Sequence, residues 1–428
     1  MRMCTHMFIM LYIYASLFTT LCDNLGRSCT ITQTKNRMKK IALVTCYFQH
    51  NYGSQLQALA TQMICDKLDW PNETICIDGL KPEINRAKYQ YFLSHCLDIH
   101  TIKDKMGTVR KGFAKRTNKK YATNLKIRDN LFSRFAQEKF RLSQRFNSKA
   151  ELGKNAKQYS AFIVGSDQLW LPSNITADYY TLNFVPDDVG ISKIAYATSF
   201  GVSQLPAKQA RMAREFLPRF DSIMVREESG KKLVKQLINR DVPIVCDPTL
   251  LFCAEEWGAV IPQNRRINEP YILCYFLGNN PKQRTWSKEL ARITHLKIVQ
   301  LPNLDEYIKS DEGFADYPLY DVDPLDFVSL IRDAKYVLTD SFHCTALSAL
   351  HQKTFFCFRR YQDDGIVSTN GRLYSLLKSI GLSERMLTAK EPIDKCLQMQ
   401  IDYAAVDKCI EQLRQFSVES LKNAIIGN

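Results

Sequence analysis

Short apolar runs, each cut off by a polar cluster and followed by a helical stretch, constrain this chain more than any other feature of it. Residues 41–48 form one such run and the polar turn His50-Asn51-Tyr52-Gly53-Ser54 closes it. Leu56, Leu59, Ala60, Met63, Ile64 and Leu68 then recur at the spacing of one helical face. Runs that are apolar throughout suit strands buried on both faces, the mark of a parallel sheet. Further runs lie at 161–164, 193–199, 222–225 and 242–245. After a polar stretch at 255–269, which carries Pro262 and reads as a linker, they resume at 271–276, 296–301, 336–338 and 355–358. Strands alternating with helices on both sides of a linker predict an α/β chain of two Rossmann-like, doubly wound lobes. The first is expected over residues 38–260 and the second over 265–387, with helices over 388–428.

In such sheets ligands sit beyond the carboxyl ends of the strands, so the residues that end each run are the candidates for chemistry. They are Asn51, Tyr52, Gly53 and Ser54; Ser166, Asp167 and Gln168; Arg226; Asp340, Ser341 and His343; and Arg359 and Arg360. Each type has an ordinary use as well. Asp167 can cap a helix, Arg226 can pair with Glu227 or Asp247, and His343 can be a cap or a packing residue. The glycine in the 50–54 turn lets backbone N–H groups approach an anion, but without GxGxxG or a P-loop the turn is no phosphate signature.

The formal charge of +14 is unevenly placed. Residues 103–149 carry fifteen Lys or Arg against three acids. That stretch falls within 81–158, which is rich in helix formers and aromatics and is expected as a helical insertion in the first lobe. Its charge reads either as a solvated helix face or as an electropositive surface for phosphorylated lipid carriers, anionic glycans or the face of a membrane. Nucleic acid is not an expected partner, because no binding motif accompanies the charge. The 14 cysteines show neither CxxC pairs nor metal-ligand spacing, and several, such as Cys46, Cys246, Cys274 and Cys357, lie inside apolar runs. Reduced core thiols, a cytoplasmic setting and no metal or cofactor are the expectation.

Residues 7–21 are apolar like the core of a signal peptide, but the flank carries little positive charge and no small-x-small cleavage site. The run is also shorter than the roughly 20 residues of a membrane span. Met38-Lys39-Lys40-Ile41 opens directly into the first strand. Residues 1–37 are therefore expected to be an extension outside the fold, with a membrane anchor as the alternative.

Taken in order, six stretches resemble the polysaccharide pyruvyl transferase family. They are Asn51-Tyr52-Gly53-Ser54, Val164-Gly165-Ser166-Asp167-Gln168-Leu169-Trp170, Ala197-Thr198-Ser199-Phe200-Gly201, Val225-Arg226-Glu227-Glu228-Ser229-Gly230, Asp247-Pro248-Thr249-Leu250-Leu251 and Thr339-Asp340-Ser341-Phe342-His343. The resemblance runs over about residues 38–387 and is thinnest in the basic insertion. It implies a GT-B-like fold and transfer of the pyruvyl unit of phosphoenolpyruvate to a sugar, or a lipid-linked oligosaccharide, as a cyclic ketal. Such a donor needs cations for phosphate and carboxylate, an acid for the enol carbon or leaving phosphate, and a base for the sugar hydroxyl. The resemblance implies that Arg226 and His343 face the donor, and the roles expected on that basis are His343 as general acid, Arg226 as anion clamp and Asp167 as base or sugar-hydroxyl acceptor. Peripheral contact with the inner membrane face is a further expectation, from the basic stretch rather than from the resemblance.

Two departures stand out. Some branches of the family carry arginine where this chain has Ser341, and glycine commonly follows the histidine where it has Cys344. Arg359, Arg360 and Arg372 are the candidates to supply the missing phosphate contact. A nucleotide-sugar glycosyltransferase of GT-B type and a non-catalytic glycan- or carrier-binding homologue are the competing expectations.

Overall fold

The computed structural model describes residues 39–94, 110–187, 190–360 and 370–427. The expectations for residues 1–37, and for the part of the basic stretch before residue 110, therefore concern residues outside those described. Two parallel sheets organise the rest. The first consists of β1 (Lys40–Val44), β2 (Asn72–Thr74), β3 (Tyr159–Val164), β4 (Ser192–Thr198) and β5 (Ser222–Val225), in the order β2-β1-β3-β4-β5. The second consists of β6 (Tyr271–Tyr275), β7 (Lys297–Gln300), β8 (Tyr317–Pro318), β9 (Tyr336–Thr339), β10 (Thr354–Phe358) and β11 (Met386–Leu387), in the order β11-β10-β9-β6-β7-β8. This is the expected two-lobe α/β fold. Strand order reverses between β1 and β3 in one lobe and between β6 and β9 in the other, and it is beyond such switch points that open sheets leave a crevice for ligands.

The helices that position the site are, in chain order, α1 (Tyr52–Lys67), α2 (Lys81–Ser94), α3 (Lys119–Lys139), α4 (Glu228–Ile238), α5 (Pro324–Asp333), α6 (Phe342–Leu350), α7 (Gly371–Ser379) and α8 (Tyr403–Ile426). The apolar spacing in α1 predicts one buried face, yet its first three turns are buried nearly all round. The difference lies in its glutamines, whose amides satisfy backbone groups that burial would otherwise leave unpaired. Gln55 donates to the carbonyls of Tyr47 (2.9 Å) and Phe132 (3.1 Å), while Gln57 donates to the Ser54 carbonyl and accepts from the Ser166 N–H, both at 2.8 Å. Gln62 donates to the Lys139 carbonyl and accepts from the Arg141 N–H, both at 2.9 Å.

Two smaller differences have local causes. The run 242–245 touches β5 only through a bridge between Val225 and Ile244, because Pro243 has no N–H to continue a ladder. Conversely, the irregular stretch 305–320 contributes the two-residue strand β8, which pairs with Val299 and Gln300.

In the basic insertion, α3 buries Tyr121, Leu125, Arg128, Phe132 and Phe135, a stripe at alternating spacings of four and three, and leaves Lys119, Lys120, Lys126, Arg134 and Lys139 exposed. Among the described residues no helix is long and apolar enough to cross a membrane, and no His, Cys, Asp and Glu cluster could hold a metal ion. Although α8 follows the second lobe in sequence, it packs on the first. The Cys246 N–H donates to Ser417 Oγ (2.9 Å) and Arg414 Nε to the Leu250 carbonyl (2.8 Å).

Tyr52 joins the two lobes. Its hydroxyl donates to the Val322 carbonyl (3.2 Å), its ring stacks on Phe327 (centroids 4.6 Å apart, 11° between planes), and Tyr275 meets its edge. An aromatic seated this way fixes the approach of α1 to α5, and with it the distance between the two strand-end rims.

Candidate active site

Asn51 caps α1 by accepting from the Ser54 N–H (3.1 Å), and this turns the helix start toward the second lobe. Gly53 sits one residue past that start. A Cβ placed on it would lie 1.9 Å from His343 Nδ1, so the imidazole is packed against bare backbone. His343 itself is the second residue of α6, capped by Ser341, and its side chain is 7% exposed. Gly53 and His343, 290 residues apart in sequence, therefore bring together the ends of β1 and β9.

A network of charges surrounds that contact. Asp167 Oδ2 accepts from Ser54 Oγ (2.8 Å), and its Oδ1 lies 3.5 Å from the Arg226 guanidinium and 3.8 Å from that of Arg372. The Asp167 backbone holds φ +78°, a conformation uncommon for a residue with a Cβ. It is held there by the N–H groups of Leu169 (2.8 Å) and Ser199 (3.0 Å), which donate to its carbonyl. Asp247 Oδ2 accepts from Arg226 (2.6 Å) and from Ser166 Oγ (3.0 Å), and it stands 3.4 Å from His343 Nε2. Its Oδ1 is taken by the backbone and hydroxyl of Thr249 at 3.1 and 2.8 Å. At 3.4 Å the His343 ring nitrogen makes an ion-pair contact rather than a formed hydrogen bond, and Nε2 stays buried without a hydrogen-bond partner.

The arginines differ in how well they are paired. Arg226 lies under the Phe342 ring (4.3 Å to the centroid) with Asp247, Asp167 and Glu227 around it. Burial alone would lower its pKa, and the three carboxylates more than offset that. Arg372, at the start of α7, has Asp167 as its one ion-pair partner among the described residues, and although Asp167 and Glu227 favour its charge, its pKa is brought down to about 10 by burial first and by the Arg226 guanidinium second. The site thus contains a buried guanidinium whose charge is under-compensated.

Burial pushes both aspartates up, but His343 and Arg226 outweigh it and hold each carboxyl below its ordinary value. Glu227 is fully buried with neither carboxyl oxygen hydrogen-bonded, and burial raises its pKa despite Arg226. Depressed aspartates contribute stability that is complete above the unfolded carboxylate pKa of about 3.9 and is lost as pH falls through the folded values. Glu227 has the opposite sign and offsets part of this as pH rises. The urea midpoint should therefore fall between pH 5 and pH 3 in the wild type, and fall less in Asp167→Asn. Equal falls in the two proteins would show that the Asp167 charge is not held by its neighbours.

Other residues singled out in the sequence are taken up by contacts within the fold. Asp340 is occupied by backbone, its two oxygens accepting from the N–H groups of Leu277 (2.7 Å) and Gly278 (2.9 Å). Arg360 donates to the Asp340 carbonyl (2.8 Å), and Arg359 lies over the Tyr374 ring. Gln168 packs against Gly201, while Ser166 is a buried tie between Gln57, Ala197 and Asp247. Asp247 and Glu227 are the members that the run-end reasoning did not select. Asp247 does stand at the end of an apolar run, immediately before Pro248 and Thr249, and that position is the signal that could have found it.

The family model described as polysaccharide pyruvyl transferase matches residues 51–361. No curated protein matches the chain. Among solved structures the chain is similar to a UDP-GlcNAc 2-epimerase from Neisseria meningitidis bound to UDP-GlcNAc, at 11% identity and TM-score 0.44, covering 90% of this chain and 100% of that one. It is similar also to the Methanocaldococcus jannaschii UDP-GlcNAc 2-epimerase in complex with UDP-GlcNAc and UDP (9% identity, TM-score 0.43, 88% and 100% covered). A third is the glycosyltransferase SnogD from Streptomyces nogalater (10% identity, TM-score 0.40, 90% and 98% covered).

Proposed function

The chain belongs to the polysaccharide pyruvyl transferase family, a family of transferases, and from that premise we propose that it moves the pyruvyl group of phosphoenolpyruvate onto two hydroxyls of a sugar in a cell-surface polysaccharide precursor. The reaction protonates the methylene carbon of the enol, adds one sugar hydroxyl to the adjacent carbon, and closes the ketal with a second hydroxyl as inorganic phosphate leaves. His343 supplies the proton. Arg372 takes the donor's negative charge, since Arg226 already has Asp247 at 2.6 Å and Asp167 at 3.5 Å. Asp167, ionised and with Ser54 on one oxygen only, accepts the hydrogen of the attacking hydroxyl.

The observation that carries this reading is the under-compensated guanidinium of Arg372 in the same charge network as His343, the two linked through Asp167. An anion entering that network would be held by charge-assisted hydrogen bonds that the free protein lacks. It also answers the replacement of the family's arginine by Ser341, which here is spent as a helix cap.

Incubation with phosphoenolpyruvate and candidate glycans should release inorganic phosphate and yield a ketal, with kcat/KM in His343→Ala lower by a hundredfold or more, on the order expected for one lost transition-state contact. Nucleoside diphosphate released from a nucleotide-sugar, with none of the ketal, would replace this reading by glycosyl transfer. Glycan binding unchanged in His343→Ala, with no turnover by either form, would replace it by a non-catalytic role.

A further inference from the structure

A cavity lies apart from His343 and Arg372, between the start of α3 and the second-lobe loop 302–320, with a volume of about 470 Å³. That is within the usual range of roughly 300–1,000 Å³ for small-molecule sites. Tyr121 and Tyr307 meet edge to face at 5.4 Å, and the Tyr121 hydroxyl donates to the Leu304 carbonyl (3.1 Å), which fixes the floor. Tyr320 and the amides of Asn118 and Asn124 complete the wall. Rigid aromatic faces next to fixed amides and carboxylates offer apolar contact together with directed hydrogen bonds, the two things a polyhydroxylated ring needs.

Charge narrows the ligand. The lining acids Asp311 and Asp316 are paired with Arg284 (2.9 Å) and Lys297 (3.1 Å), which leaves Glu306 and Glu312, the latter accepting from the Tyr307 hydroxyl, against Lys120 as the single lining cation among the described residues. A phosphate or carboxylate would be repelled here, whereas a neutral or amino sugar would not. The cavity is also coupled in space to the chemistry. From Tyr121 along α3 to Phe132 is eleven residues, about 16 Å of helix, and the Phe132 ring lies 5.0 Å from that of Tyr52, the residue before Gly53.

We propose that this cavity is a saccharide subsite that holds a neutral or amino-sugar unit of the acceptor, several units removed from the sugar that reacts beside His343. What happens to the far end of that acceptor rests on the pyruvyl-transfer reading; the binding does not. Binding energy gained at such a distance can be used to orient the reacting end.

The full chain, on an array of neutral, N-acetylated, amino, phosphorylated and sialylated oligosaccharides, should bind neutral or amino-sugar members. Tyr307→Ala and Asn124→Ala, both at partly exposed positions, should lose roughly tenfold or more of that binding, while His343→Ala retains it. Binding confined to anionic members, binding to none, or binding by the Tyr307 and Asn124 variants equal to wild type would overturn the proposal. If the array pattern is as expected but phosphoenolpyruvate yields no ketal, the subsite stands and the pyruvyl-transfer reading falls. If ketal forms while Tyr307→Ala leaves both array binding and acceptor KM unchanged, the subsite falls alone.

Discussion

Gly53→Ala should lower turnover by roughly a hundredfold or more, the loss expected when a reacting group is displaced by about 1 Å. Local propensity argues the other way. Gly53 is the second residue of α1 and its backbone is ordinary helix, so alanine there should gain up to about 1 kcal/mol. The opposing term comes from across the interlobe contact. A Cβ at position 53 would sit 1.9, 2.4 and 2.7 Å from three atoms of the His343 ring, and that ring is buried. Either the imidazole leaves the Asp247 side chain or α1 and α6 separate, and separation also strains the seat of Tyr52 on Phe327. The check is a double-mutant cycle. Gly53→Ala should destabilise the wild-type background, while in a His343→Ala background the same change should be neutral or stabilising, because the collision is gone and only propensity remains. Additive effects of the two changes, or a Gly53→Ala enzyme as active as wild type, would show that the close approach is not kept in solution.

That glycine also marks what the sequence does and does not reveal. The runs at 41–48, 161–164 and 336–338 identify buried parallel strands from composition alone, because a short uninterrupted apolar stretch suits a strand buried on both faces. Their polar ends then place Ser54, Asp167 and His343 on the rims before any coordinates. What stays hidden is which rim residues face one another. Asp340 and His343 are three positions apart and equally polar, yet one is spent on the N–H groups of Leu277 and Gly278 and the other lies against Gly53. The outcome depends on the rotation of α6 about its own start, a tertiary matter. Glu227 is harder still. It follows Arg226 in sequence and reads as a surface ion pair, but both are buried, and their Nε and Oε2 atoms stand 3.8 Å apart. In α1, periodicity marks Leu56, Leu59 and Ala60 for burial and passes over Gln55, Gln57 and Gln62. Those glutamines are buried because backbone groups of distant segments need donors and acceptors there.

Arg226→Ala should unfold the protein more readily, by about 3–5 kcal/mol, the usual cost of leaving one member of a buried ion pair unpaired. The Arg226 side chain is 1% exposed and that of Asp247 is not exposed at all, so water does not reach in to take the place of the guanidinium. Asp247, Asp167 and Glu227 would share the uncompensated charge. A loss of activity in this variant would therefore say little about donor binding. Arg372 is the informative position, because burial and the Arg226 guanidinium bring its folded pKa down to about 10, below the ordinary arginine value. Arg372→Met removes that charge and keeps most of the side-chain volume. It should leave the urea midpoint unchanged or raise it, while the KM for phosphoenolpyruvate rises or turnover falls. Opposite responses at two neighbouring arginines would separate a structural cation from one held ready for an anionic substrate. If Arg372→Met instead destabilises the fold as much as Arg226→Ala, both guanidinium groups serve the packing of the two lobes, and the donor's charge must be met by other groups on the rim.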